Sequence, residues 1–143
     1  MRPDEGFEMS TAPSSLPKVS ADAHVNEPHD LWFERLDAHL KPRAPRRIQT
    51  NEDGTWSLVI DGSPLGWGDL PAAEAARLER ERVGAATPEV RLEMMRSEGI
   101  NAEVIYPTIG LYLWWNVEDP ELGAACCRIY NDWLDERLGG NPR

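Results

Sequence analysis

The sequence predicts an α/β fold with parallel strands, and three observations carry that prediction. Two short runs with strand character, residues 18–24 and 102–106, stand far apart in the chain. Helix signals occupy part of the interval, and the strongest helix pattern follows the second run. A strand, a crossover containing helices and a second strand make a βαβ unit, whose strands run parallel and whose C-terminal strand ends carry function. Asp22, His24 and the Tyr106-Pro107-Thr108 segment all fall at such ends, on one shared rim.

Residues 1–17 hold Pro3, Gly6, Pro13 and a Ser/Thr cluster with no apolar period, so they read as a disordered tail without the apolar core of a secretory signal. One domain then occupies 18–143. Its first strand is stopped by Pro28, and Asp30 is expected to cap a short helix that buries Trp32 and Leu36 and ends before Pro42. Residues 46–61 read as a hairpin: Ile48 and Thr50, a turn at Asn51-Glu52-Asp53-Gly54, then Trp56, Leu58 and Ile60 alternating with Ser57, Val59 and Asp61. Residues 61–68, with Gly62, Pro64, Gly66 and Gly68, read as loop. Residues 71–83 favour helix by composition, but their apolar face is thin and Arg77 to Arg82 form a solvated charged face, which suggests a flap. Hairpin and flap together form an insertion over about 46–84.

Thr87 and Pro88 open the next helix as cap and first helical residue, Leu92 and Met95 are its expected buried stripe, and Gly99 ends it. The strand at 102–106 follows, rich in β-branched and aromatic residues and stopped by Pro107. After an aromatic loop over 108–118, Asp119-Pro120 starts the clearest helix, with Leu122, Cys126, Ile129 and Trp133 on one stripe and Gly139-Gly140 at its end.

A net charge of -10 over 143 residues argues against a nucleic acid or an anionic membrane surface as partner. The chain has no apolar run long enough for a membrane-spanning helix, and a cytoplasmic location is the default expectation. Cys126 and Cys127 are sequence neighbours and cannot bridge each other, so they read as small buried hydrophobes in a reducing compartment.

The chemistry concentrates at Asp22-Ala23-His24. Residues i and i+2 of a strand share a face, so this carboxylate and imidazole can converge on one divalent ion, zinc or manganese by ligand type. A catalytic zinc takes about three protein ligands and an open position, so the two residues are half of a site. Glu27 reads either as a partner that orients His24 or as an ordinary charge at a helix entry. Tyr106, Trp114 and Trp115 either line a substrate pocket or pack beneath their loop. His29 and His39 read as solvated helix residues.

Four pieces in order resemble the amidohydrolase-related family of metal-dependent TIM-barrel hydrolases. They are Asp22-Ala23-His24-Val25-Asn26-Glu27-Pro28 with Asp30-Leu31-Trp32, then Gly99-Ile100-Asn101-Ala102-Glu103-Val104-Ile105-Tyr106-Pro107, then Tyr130-Asn131-Asp132-Trp133-Leu134. The branch it resembles holds the decarboxylases of aminocarboxymuconate semialdehyde and γ-resorcylate. The resemblance implies the first two βα units of a (β/α)8 barrel with a hairpin and helix insertion. It also implies a first strand that binds one divalent metal through His-x-His or Glu-x-His. Asp22 and His24 hold those positions here, and the Asp departs from both patterns. The family's remaining ligand His, its catalytic His and its Asp come from later strands, which lie beyond Arg143 in this reading.

The implied activity is metal-dependent hydrolysis or non-oxidative decarboxylation of a small carboxylated or cyclic substrate, with one divalent ion bound once the barrel is complete. A homo-oligomer is compatible with this reading. The competing expectation is a non-catalytic barrel fragment, because two parallel strands cannot close a barrel or satisfy their edges.

Overall fold

The computed structural model describes residues 16–49, 55–65, 69–74, 76–77 and 87–139. Residues 1–15 of the expected tail over 1–17, Thr50 and the turn at 51–54, residues 66–68, most of the flap and Gly140 lie outside the described residues.

The first strand, β1 (Val19–Val25), pairs in parallel with β5 (Ala102–Pro107), as the βαβ order requires. Both ends of this ladder are tied by hydrogen bonds outside it. At the N-terminal end the Lys18 N–H donates to the Asn101 side chain at 2.9 Å, and the Asn101 N–H donates to the Lys18 carbonyl at 2.8 Å. At the other end the Thr108 hydroxyl donates to the Val25 carbonyl at 2.9 Å.

A second, antiparallel sheet has the order β2 (Arg46–Gln49), β3 (Trp56–Ile60) and β4 (Ser63–Pro64). The hairpin is where the sequence puts it, but 61–68 is not all loop. Asp61 and Gly62 both have positive φ, 52° and 75°, and form the two-residue turn that pairs Ile60 with Ser63. Strand β3 therefore lies between two neighbours, and Ser57 and Val59 are buried along with Leu58 and Ile60. Of the expected flap helix, residues 72–74 and 76–77 are helical.

Helix α1 (Leu31–Arg35) begins at Asp30, whose side chain makes no capping bond; its backbone φ of -107° and ψ of 8° differ from the extended geometry of a side-chain cap. Helix α2 (Pro88–Glu98) is capped as expected by Thr87, whose hydroxyl accepts from the Val90 N–H, and it ends at Gly99 with φ 68°. It buries none of its residues. Leu92 and Met95 are only half-buried and line a shallow apolar groove with Ile105 and Leu138. Helices α3 (Leu113–Asn116) and α4 (Pro120–Leu138) follow, with Asp119 capping α4 through the Glu121 N–H.

One core joins α1, the antiparallel sheet and α4. Trp32, Leu122 and Cys126 are each 0% exposed, and Leu58, Ile60 and Trp133 pack in the same cluster. The Trp32 indole N–H donates to the Cys126 carbonyl at 3.0 Å, so the largest buried side chain is also hydrogen-bonded. Burial pushes the Cys126 thiol up to about 12, which leaves it an inert hydrophobe; Cys127, against expectation, is exposed because the next helical position points away from the core. His29 also departs from its expected solvation and stacks on Trp56 with ring centroids 5.7 Å apart.

Arg43 braces this core from outside. Its guanidinium donates to both oxygens of Asp61 and to Asp119, joining the β3–β4 turn to the start of α4. The guanidinium holds the Asp119 carboxyl below its ordinary range.

Candidate metal centre

The site is built on the C-terminal end of β1, where the strand is irregular. Ser20 pairs with Glu103 and Ala23 with Ile105, so three steps on β1 match two on β5. That is a β-bulge, which re-aims the side chains after it. Asp22 lies within the bulge and His24 just past it, and their side chains approach each other, with the Asp22 Oδ1 and His24 Nε2 3.3 Å apart. The side chains are 82% and 43% exposed, respectively.

The other ring nitrogen defines the chemistry. His24 Nδ1 lies 3.0 Å from the Pro107 carbonyl oxygen, which can only accept, so Nδ1 carries the hydrogen. In the neutral ring the Nε2 lone pair then faces a carboxylate oxygen, and two electron-rich atoms at 3.3 Å need a cation or a proton between them. Zinc–nitrogen and zinc–oxygen bonds of about 2.1 Å at a tetrahedral angle place the two donor atoms about 3.4 Å apart. The observed spacing fits one ion. A backbone carbonyl on the far ring nitrogen is also the usual support for a metal-binding histidine.

Two contacts hold this end of the strand in place. Arg91 of α2 donates from Nε to Glu103 at 2.6 Å and from a terminal nitrogen to the His24 carbonyl at 3.2 Å, which ties α2 to both strands. Tyr106, the register partner of His24, sets its ring 6.1 Å from the imidazole.

Glu27, read as a partner of His24 or as a charge at the helix entry, makes no direct contact with the His24 ring. It is 1% exposed, and its carboxylate accepts from three consecutive backbone N–H groups, those of Thr108, Ile109 and Gly110, at 2.9 to 3.2 Å. It therefore contacts the turn after β5 and not the His24 ring. Burial raises its pKa above the ordinary 4.5, opposed by these N–H donors. Gly110 is required by close approach: a Cβ there would lie 2.9 Å from the Pro107 Cβ and 3.3 Å from the Glu27 Oε1.

The aromatic residues do not converge. Tyr106 stands beside His24, whereas Trp115 opens onto a cleft with Arg43, Asp61, Ser63 and Glu118 that includes neither Asp22 nor His24. Trp114 and Trp115 are 83% and 75% exposed, so neither packs beneath the loop. Among the described residues no group of three or more His, Cys, Asp or Glu side chains could hold a metal ion. Asp22 and His24 thus fit one edge of such an ion and leave its other positions open. Among the described residues no helix is long and apolar enough to cross a membrane.

One face of the parallel sheet is bare. Ala102, Val104 and Tyr106, alternating along β5, are exposed, as are Val19 and His24, the register partners of Ala102 and Tyr106. Parallel sheets are ordinarily covered on both faces. The uncovered apolar face and the two donors are thus on the same side.

No family model matches the sequence, and no curated protein does. In structure, 90% of the chain matches an amidohydrolase from Mycobacterium avium subsp. paratuberculosis at 18% sequence identity with a TM-score of 0.66. The chain spans 40% of the length of that protein. At this identity the likeness is one of fold: a mixed α/β arrangement with a parallel and an antiparallel sheet, shared with part of an amidohydrolase.

Proposed function

We propose that the chain supplies the first metal-binding edge of an amidohydrolase-type (β/α)8 barrel, with Asp22 and His24 as two ligands of one divalent ion, zinc or manganese. The observation that carries this reading is the 3.3 Å approach of the His24 Nε2 and Asp22 Oδ1 with the Pro107 carbonyl on the opposite ring nitrogen. The fold shared with part of an amidohydrolase supports it. The bare face of the β1–β5 sheet is then the face that looks into the barrel, where further strands bring the remaining donors.

In this reading the reaction is hydrolysis, or decarboxylation without a redox cofactor, of a small carboxylated or cyclic substrate. A bound divalent ion polarises a substrate oxygen and makes a water at the site more acidic. The chain's own residues hold the geometry. The Pro107 carbonyl keeps the proton on Nδ1, His24 presents Nε2, Asp22 contributes negative charge, and Tyr106 forms an apolar wall beside the imidazole. Partners are a small-molecule substrate and no nucleic acid or membrane; a homo-oligomer and a cytoplasmic location are compatible with the reading.

A second reading, that the 143-residue chain has no activity by itself, is favoured by the count of donors: the described residues offer no group of three. The two readings agree about Asp22 and His24 and differ over what else is needed. Equilibrium dialysis of the chain against zinc and manganese tests the shared claim. Weak binding of one ion that falls about tenfold or more in both Asp22→Asn and His24→Asn is the expected result. Equal uptake by the wild type and both variants refutes it.

A further inference from the structure

The buried Glu27 carboxylate and the His24 ring bond to the same turn, over Pro107 to Gly110. We propose that Glu27 is a positioning residue: by gathering the Thr108, Ile109 and Gly110 N–H groups it fixes the turn that aims the Pro107 carbonyl at His24 Nδ1, and so selects the His24 tautomer whose Nε2 lone pair faces Asp22. This inference rests on the proposed role of His24 as a ligand, but its first link, from Glu27 to the tautomer, is independent of any metal.

The geometry runs through six hydrogen bonds, four of them to Glu27. The Glu27 Oε1 accepts from Thr108 and Gly110 at 3.1 and 3.0 Å, and Oε2 accepts from Thr108 and Ile109 at 3.2 and 2.9 Å. Three successive N–H groups turned toward one carboxylate make a nest, a backbone concavity that binds an anion. The carbonyl just before the nest is that of Pro107, 3.0 Å from His24 Nδ1. The Thr108 hydroxyl ties the same turn back to the Val25 carbonyl, so strand end and turn move as one. Gly110 seals the arrangement, because its missing Cβ leaves room for Pro107 and Glu27 to approach.

The relay links a buried carboxylate to a ring it does not touch, through the backbone of the Pro107 to Gly110 turn. Imidazole in water prefers the hydrogen on Nε2, the form that offers no lone pair toward Asp22. Holding the other tautomer takes a fixed acceptor at Nδ1. An amide at position 27 keeps one acceptor oxygen but turns an NH2 group toward N–H donors, so Glu27→Gln should loosen the turn while preserving side-chain volume. Gly110→Ala disturbs the same turn from the opposite side and leaves Glu27 intact.

The test is nitrogen-15 NMR of the histidine ring in the full 143-residue chain, at a pH where His24 is neutral, without metal and then with zinc. In the wild type the Nδ1–H form is expected. In Glu27→Gln and in Gly110→Ala the Nε2–H form should gain at its expense, and zinc affinity should fall about tenfold in each. An Nε2–H ring in the wild type overturns the proposal without any variant. So does an Nδ1–H ring that persists in a folded variant whose Thr108 to Gly110 amide signals have moved. If the tautomer follows the prediction but zinc leaves the His24 signals unchanged in the wild type, the metal reading fails and the relay stands.

Discussion

Replacing Trp32 measures whether α1, the antiparallel sheet and α4 share one core. Its side chain is 0% exposed, lies in a cluster with Leu58 and Ile60 of the hairpin and Leu122 and Cys126 of α4, and donates to the Cys126 carbonyl. Trp32→Ala removes the indole and leaves a cavity, which costs about 3–5 kcal/mol. The Cys126 carbonyl belongs to α4 and keeps a helical donor, so loss of the indole hydrogen bond adds only about 1 kcal/mol. Trp32→Phe keeps most of the ring volume and should cost roughly 1–2 kcal/mol. A domain with total stability of about 5–15 kcal/mol would survive the second change and come close to unfolding with the first. Urea titration followed by far-ultraviolet circular dichroism reads both numbers, with the wild-type m-value as the check that the same surface unfolds. A loss below about 1 kcal/mol for Trp32→Ala, at unchanged m, would show that the hairpin and the helices do not pack through this residue.

Three further outcomes follow from the same structure. Gly62→Ala should cost about 1 kcal/mol through backbone strain alone, since φ is 75° and no atom lies within 4 Å of the added Cβ. Gly62→Asn should recover most of that in the same urea titration. On acidification, the folded-state pKa of Asp119 is depressed by Arg43, so its contribution is present above the ordinary 3.8 and is lost as pH falls toward the lower folded value. Glu27 has the opposite sign: its pKa is raised, so ionisation above 4.5 works against folding and acidification relieves it. Asp119→Asn should therefore flatten the acid limb of the stability curve below pH 3.8, and an unchanged limb would assign that limb to other groups. Trp114→Ala should stay within about 0.5 kcal/mol of wild type, because the ring is 83% exposed.

Local signals made most of the elements legible. Thr87-Pro88 and Gly99 bracket α2, Asp119-Pro120 opens α4, and the alternation around Trp56 marks β3, since each depends on nearest-neighbour backbone chemistry. The turn between β3 and β4 has a local signal too: Asp61-Gly62 is the residue pair that a two-residue hairpin favours, although the Gly and Pro content of 61–68 points to loop. Other features depend on residues far away in sequence. The bulge in β1 is set by its register against β5, some 80 positions on, and nothing in Ser20-Ala21-Asp22 announces it. The exposure of Leu92 and Met95 depends on what packs over α2, which a helical period cannot specify. The candidate site divides in the same way. Strand alternation brings Asp22 and His24 together, while the partners of Glu27 and the Pro107 carbonyl on His24 come from the turn after β5.

The central claim is that Asp22 and His24 form one edge of a divalent-metal site at the end of β1. Manganese is paramagnetic and broadens NMR signals only near where it binds, so a titration of the isotope-labelled chain locates the ion residue by residue. Broadening that begins at Asp22, His24 and Tyr106, and that disappears in His24→Asn, is the predicted result. Broadening that starts at other carboxylates of this acidic chain, or that is unchanged in His24→Asn, would contradict the account.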